Sequence, residues 1–290
     1  MSKDRTDLVM ADESSTSSFG PIHVVEPTNA HTHTAVLLHG RGSTGEEFAE
    51  ELAESLLSNK KSLMQTFPGY KWVFPSSREI WSTVFEETMP AWFEAHSLTD
   101  IMARQDLQME GIRESVNCIE KIVVSEIDNL GGYASRVVLG GISQGGAVGI
   151  WTLLSMTSKL PGIRPGAFVG ASAWLPFASN IVRKLQNAQQ GQEDDFVQSM
   201  LPLLTKNKSP VPVFLGHGLD DAYVDVELGR QARQVLSQAG FSVDWREYSG
   251  AEQEGHWVKA PEQLDDVAHF LQHMLEARRG EYSMRDRVGD

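Results

Sequence analysis

The chain has 290 residues, 41% of them hydrophobic, enough for one large α/β domain with a sizeable core. Its 39 acidic residues outnumber 25 basic ones, and the formal net charge of −14 argues against a nucleic-acid backbone as partner and against a polybasic membrane anchor. One cysteine, Cys118, excludes an intrachain disulfide and is compatible with a reducing compartment.

Residues 1–20 are rich in Ser, Asp and Thr and contain no apolar stretch, which predicts a disordered tail rather than a signal peptide. No apolar run is long enough to span a bilayer, residue 2 is Ser, and the C-terminus has no prenylation cysteine, so a soluble cytoplasmic protein is expected. Ile22 to Val25 is a short β-like run, and Asn29 to His33 is a turn whose His31 and His33 lack a third metal ligand nearby. Thr34 to Leu38 is continuously apolar, as in a strand buried on both faces, and runs into the Gly-rich turn His39-Gly40-Arg41-Gly42-Ser43. Thr44 and Glu47 have capping-box spacing and start a helix with Phe48, Leu52 and Leu56 on one face.

Lys71 to Pro75 predicts another strand. Residues 76 to 98 look irregular and aromatic. A loop this long and apolar either lines a ligand pocket, with Trp81 and Met89 against the substrate, or covers the sheet edge. Asp106 to Leu130 is an amphipathic helix striped by Ile112, Val116, Ile119, Val123, Ile127 and Leu130, and stopped by Gly131-Gly132. Cys118 sits beside that stripe as an ordinary helix residue rather than a nucleophile.

Val137 to Gly140 is a buried strand leading into Gly141-Ile142-Ser143-Gln144-Gly145, and an apolar helix follows. G-x-S-x-G between strand and helix has the context of a nucleophile elbow, with Ser143 exposed on a sharp turn and helix N–H groups behind it. Ala167 to Ala171 is the next strand. Residues 178 to 209 form a helical insertion, two short amphipathic stretches around a polar middle, Asn187 to Gln192. Val211 to Leu215 is a strand ending in Gly216-His217-Gly218-Leu219-Asp220-Asp221. A helix over Leu228 to Ala239, a strand over Ser242 to Tyr248, a loop carrying His256 and a helix from Pro261 complete the chain. Alternating strands and helices predict a mostly parallel sheet. One domain is expected over 21–278, with a C-terminal tail over 279–290.

A serine hydroxyl becomes a nucleophile when an imidazole, itself oriented by a carboxylate, takes its proton. Ser143, Asp221 and His256 supply the order Ser, acid, His at strand carboxyl ends. Asp220 and Asp225 compete with Asp221, and spacing alone does not choose among them. His39 and His217 read as turn-stabilising residues. His269 and His273 read as a solvated helix face, because no Glu completes a zinc motif.

The chain resembles the acyl-protein thioesterase, lysophospholipase and carboxylesterase family of α/β-hydrolases. The matching pieces are Leu38-His39-Gly40 with Gly42, Phe74-Pro75-Ser76, Trp92-Phe93, Glu110-Gly111-Ile112, Gly140 to Ala147, Trp174-Leu175-Pro176, His217-Gly218 with Asp221, and His256. The resemblance implies an α/β-hydrolase fold with Ser143 as nucleophile, Asp221 as acid and His256 as base. It further implies that backbone N–H groups of Arg41 and Gln144 form the oxyanion hole and that Trp174 and Leu175 line an acyl channel. Arg41 stands where the family commonly has leucine, Ser43 where it has aspartate, and the 178–209 excursion is longer than usual. The expected activity is hydrolysis of carboxylic esters or thioesters through an acyl-enzyme, with an S-acylated protein or a lysophospholipid as substrate and transient membrane-surface contact. No metal or organic cofactor is expected. A lysophospholipase or small-ester hydrolase lidded by 178–209, and a non-catalytic ligand-binding protein on the same scaffold, are the alternatives.

Overall fold

The computed structural model describes residues 18–97, 100, 103–160, 162–186, 195–205 and 211–285, with side chains as far as residue 274. In chain order the elements are β1 (Ile22–Val25), β2 (His33–Leu38), α1 (Gly45–Glu54), α2 (Leu63–Thr66), β3 (Tyr70–Pro75), β4 (Arg78–Ser82), β5 (Glu87–Ala91), α3 (Gln108–Asn129), β6 (Val137–Ile142), α4 (Ser143–Lys159), β7 (Ala167–Ala171), α5 (Ala178–Leu185), α6 (Asp195–Met200), β8 (Pro212–Gly218), α7 (Val226–Gln238), β9 (Ser242–Tyr248) and α8 (Glu262–Arg285). Most of the expected tail over 1–20, the polar middle Asn187 to Gln192 and the last five residues lie outside the described residues. The last helix runs to Arg285, past the expected end of the domain at 278.

A seven-stranded sheet runs in the order β1-β3-β2-β6-β7-β8-β9. Only β1 pairs antiparallel, on β3; the remaining pairs are parallel. Strand side chains alternate between two apolar layers. Val36, Leu38, Leu139 and Phe168 face a core shared with α3, α4, α5, α6 and α7. Ala35, Leu37, Val138, Ile142 and Phe214 face the core under α1, α2 and α8. Central strands are covered on both sides, which is why they read as unbroken apolar runs.

The start of α1 is fixed as its sequence dictates. Thr44 Oγ1 accepts from Glu47 N–H at 3.2 Å, and Glu47 Oε2 accepts from Thr44 N–H at 2.9 Å. Phe48 and Leu52 are buried, but Leu56 lies beyond the helix end and is exposed, so the expected stripe is one residue too long. The α3 stripe is buried along its whole length, and Gly131 and Gly132 stop the helix at positive φ (+71° and +84°).

The described part of the 76 to 98 stretch, which ends at residue 97, is not wholly irregular. It contains a two-stranded antiparallel ribbon in which Ile80 pairs with Met89 and Trp81 with Thr88. Pro90 argues against a strand because it lacks a donor, but in a two-stranded ribbon every strand is an edge, where proline is tolerated. The ribbon is anchored to the turn after β2, where Gly42 N–H donates to Pro90 O at 2.7 Å.

The 178–209 excursion carries α5 and α6 and joins β7 to β8. Parallel neighbours require such a crossover. Ile181, Leu185, Phe196, Met200, Leu201 and Leu204 are buried in the same core as α4. The Phe196 ring lies 5.3 Å from Trp151 of α4. Among the described residues, no helix is long and apolar enough to cross a membrane.

Candidate functional site

Ser143 opens α4 at the carboxyl end of β6 with φ +54°. A left-handed conformation at a residue with a Cβ is strained, on the order of 1–3 kcal/mol, and is held here by its surroundings. A Cβ on Gly145 would collide with the carbonyl oxygens of Leu38 and His39, and one on Gly141 with the backbone of Gly145. The missing side chains let strand and helix meet at this angle. Ile142, at the N-cap of α4, offers no side-chain acceptor to the first helical N–H groups.

The loops after β8 and β9 bring an imidazole and a carboxylate together. His256 Nδ1 donates to Asp221, with Oδ1 at 3.0 Å and Oδ2 at 2.8 Å. That fixes the tautomer and leaves Nε2 as the acceptor. Asp221 Oδ1 also accepts from the N–H groups of Tyr223 and Val224, each at 2.9 Å. Its side chain is shielded from solvent. Burial pushes the Asp221 pKa up, but hydrogen bonds from His217 and His256 outweigh it and hold the carboxyl well below the usual range. The two loops are tied together by Ala222 N–H donating to Glu254 O at 3.1 Å. The three aspartates separate by partner. Asp220 accepts from Gly250 N–H at 2.8 Å, and Asp225 caps α7 by accepting from Glu227 N–H at 2.8 Å.

Ser143 and His256 open into one cleft of about 500 Å³, whose lining also includes Arg41, Gln144 and Trp174. The structure therefore brings five of the sequence-derived site residues to one cavity, with Asp221 behind His256. It does not bring the other three there. Leu175 is 1% exposed and packs in the core beside α4. Trp81 is 58% exposed on the ribbon, and Met89 pairs with Ile80 away from the cavity wall. Trp92 and Phe93, which follow the ribbon, pack under the site through their bonds to Gln144. None of the described residues of α5 or α6 lines the cleft.

Several wall residues were not anticipated. Phe48 and Trp257 form apolar surface, their rings 5.8 Å apart and edge-on. Tyr223 lies 5.3 Å from the His256 ring, and Glu51, Gln253 and Glu254 line the same cavity. The available signal was adjacency: Tyr223 follows Asp221 by two residues, and the other loop residues flank His256.

Gln144 and His39 brace the opposite wall. The Gln144 side chain accepts from Trp92 N–H at 2.9 Å and donates to Phe93 O at 2.7 Å. Trp92 Nε1 donates to His39 O at 2.9 Å. His39 Nε2 accepts from Ser77 N–H at 2.9 Å, so Nδ1 carries the proton given to Gly40 O at 2.7 Å. Burial lowers the His39 pKa to about 4, against the opposing pull of Gly40 O and Glu47. The turn-stabilising role expected of His39 is thus visible in its bonds. Burial raises the Cys118 thiol, which disfavours the thiolate a nucleophile needs. His269 and His273 are exposed. Among the described residues, no group of three or more His, Cys, Asp or Glu could hold a metal ion.

A family model described as Phospholipase/Carboxylesterase matches residues 20–275. An acyl-protein thioesterase 1 from Gibberella zeae is 31% identical over 256 residues, covering 87% of this chain and 94% of that protein. One from Cryptococcus neoformans is 29% identical over 215 residues, 74% of this chain and 76% of its own length. The crystal structure of Zea mays acyl-protein thioesterase 2 superposes with a TM-score of 0.63 at 25% identity, covering 88% of this chain and 99% of that one.

Proposed function

Because the chain belongs to the phospholipase/carboxylesterase family of α/β-hydrolases, and is therefore an ester or thioester hydrolase, we propose that it works through Ser143, His256 and Asp221 as a triad, by way of an acyl-enzyme. The observation that carries this is the pairing of His256 Nδ1 with Asp221 at 2.8 Å, with Ser143 at the elbow in the same cleft. The preferred substrate is an S-acylated polypeptide, by analogy with the acyl-protein thioesterases it resembles.

His256 Nε2 accepts the Ser143 proton as Oγ attacks the acyl carbonyl. The oxyanion that forms lies against the backbone N–H groups of Arg41 and Gln144, each donor worth roughly 10²–10³ in rate. His256 then gives its proton to the departing sulfur or oxygen. The thiol or alcohol leaves, and water activated by the same imidazole releases the acid and restores Ser143. Asp221 holds the imidazole tautomer and offsets its positive charge throughout. Trp174, Phe48 and Trp257 give the cleft its apolar surface.

Labelling with a fluorophosphonate probe tests the reading. The wild type should be labelled and Ser143→Ala should not. Equal labelling of both proteins, or of neither, would refute it. Turnover of an S-acyl peptide beside a chain-length series of p-nitrophenyl esters then separates thioester from simple-ester preference.

A further inference from the structure

Arg41 is the one lysine or arginine among the described residues that line the cleft. Its Nη1 donates to Ala95 O at 3.3 Å, and its guanidinium carbon lies 4.8 Å from the centre of the Phe85 ring. These contacts hold the side chain in place but leave most of its five donors unused among the described residues. No carboxylate forms an ion pair with it among those residues. Glu94, whose charge acts on Arg41, gives its Oε1 to Thr83 N–H and Oγ1 at 2.9 and 2.8 Å. A partly desolvated, permanently charged fork with no described carboxylate in ion-pair contact is costly unless a ligand supplies one. The guanidinium geometry suits a carboxylate or phosphate.

The sheet order says which part of a substrate would meet it. Arg41 follows β2, Ser143 follows β6, and His256 lies beyond β9, so Arg41 and His256 stand on opposite sides of Ser143. The leaving group departs on the side of His256, which protonates it. Glu51 and Glu254 line the cleft with His256 and repel an anion there. The Arg41 side is left for the part retained in the acyl-enzyme.

Resting on the triad reading above, we infer that Arg41 selects acyl groups that themselves carry an anion, so that half-esters or half-thioesters of dicarboxylic acids are a substrate class of this enzyme. The carboxylate accepts from the free donors of Arg41 while the carbonyl at the other end of the chain is attacked by Ser143. The reaction is otherwise unchanged: water adds, the thiol or alcohol leaves, and a dicarboxylate is released.

The test compares kcat/KM for mono-p-nitrophenyl adipate with that for p-nitrophenyl hexanoate, in the wild type and in Arg41→Leu, Arg41→Gln and Arg41→Lys. A second pair, 4-carboxyphenyl hexanoate and phenyl hexanoate, places the anion on the leaving group instead. The adipate-to-hexanoate ratio should fall roughly ten- to a hundredfold in Arg41→Leu and Arg41→Gln, mostly through KM, with Arg41→Lys between them and the wild type. Added salt should lower the wild-type ratio. The leaving-group pair should respond little. In the wild type alone, adipamate should inhibit hexanoate turnover at lower concentration than adipamide, a result that needs no variant to fold. An unchanged ratio in Arg41→Leu, equal inhibition by the two amides, or a loss confined to the 4-carboxyphenyl pair would overturn the inference. Hexanoate turnover that survives Ser143→Ala would overturn the triad reading. Turnover that depends on Ser143 without the Arg41 effect would overturn this inference alone.

Discussion

Oδ2 of Asp221 lies 3.4 Å from Nε2 of His217 as well as 2.8 Å from Nδ1 of His256. His217 is fully buried, and its Nε2 also donates to Val224 O at 2.8 Å. Nε2 therefore carries the proton, and Nδ1 has no partner among the described residues. The imidazole therefore presents a fixed N–H to the acid and to the turn that holds the acid. Replacing it with phenylalanine removes that donor while keeping most of the volume. The expected result is a kcat lowered roughly tenfold with KM little changed, as for loss of one hydrogen bond to a charged group. His217→Gln, which keeps a donor, should recover part of the rate. Steady-state kinetics on a neutral ester reads both, and an unaltered kcat in His217→Phe would mean the contact orients nothing.

The neighbouring aspartates give a sharper comparison. Asp221→Asn leaves the shape of the site intact but lets the amide donate to His256 Nδ1, favouring the wrong tautomer. A loss on the order of 10³–10⁴ in kcat is expected. Asp220→Asn removes a charge at the surface but keeps an amide oxygen that can accept from Gly250 N–H, and should cost a few-fold at most. Comparable losses in both variants would mean that the acid has been misplaced.

What the sequence made visible, and what it hid, follows from covering. Thr34 to Leu38 and Val137 to Ile142 are covered on both faces, so burial alone marked them as strands. The ribbon of β4 and β5 has no such covering, and Pro90 broke its pattern. Ser143 announced itself because glycines on both sides answer one steric demand. Asp221 did not, since choosing it over Asp220 and Asp225 depends on where the N–H groups of Tyr223 and Val224 point. The resemblance pointed to it by counting from His217. The cleft wall was the least legible part. Glu51, Tyr223 and Trp257 come from three elements far apart in the chain, and nothing local says they meet.

The glycines of the elbow can be tested against each other. Gly145→Ala places a methyl against the carbonyl oxygens of Leu38, the last residue of buried β2, and of His39 just after it, which have no room to move aside. A loss of about 1–3 kcal/mol or more is expected from overpacking. Gly42→Ala meets open space and bears only the cost of its φ of +83°, about 1 kcal/mol. Urea unfolding of both variants checks the order, and a reversed order would mean that backbone strain outweighs steric closure at this turn.

His39 makes the fold acid-sensitive in a defined window. Its pKa is about 4 in the folded chain and 6.5 in a model peptide, the difference arising chiefly from burial. Both nitrogens are engaged as a neutral ring: Nδ1 donates to Gly40 O, and Nε2 accepts from Ser77 N–H. Above pH 6.5 neither folded nor unfolded His39 carries a proton, and its contribution is complete. As pH falls from 6.5 toward 4 the unfolded chain takes up a proton that the folded chain refuses, so stability drops, by about 3 kcal/mol over the window. His39→Gln can reproduce both hydrogen bonds but does not titrate. At pH 7 it should be the less stable protein, because it loses the ring packing against Trp92, whose centroid lies 5.0 Å away. By pH 4 its deficit should shrink by about 3 kcal/mol or reverse. Other groups titrate equally in both proteins, so the difference isolates His39. Urea unfolding at pH 7, 5.5 and 4 measures it, and two stability curves that run parallel across this range would show that His39 takes up its proton equally in both states.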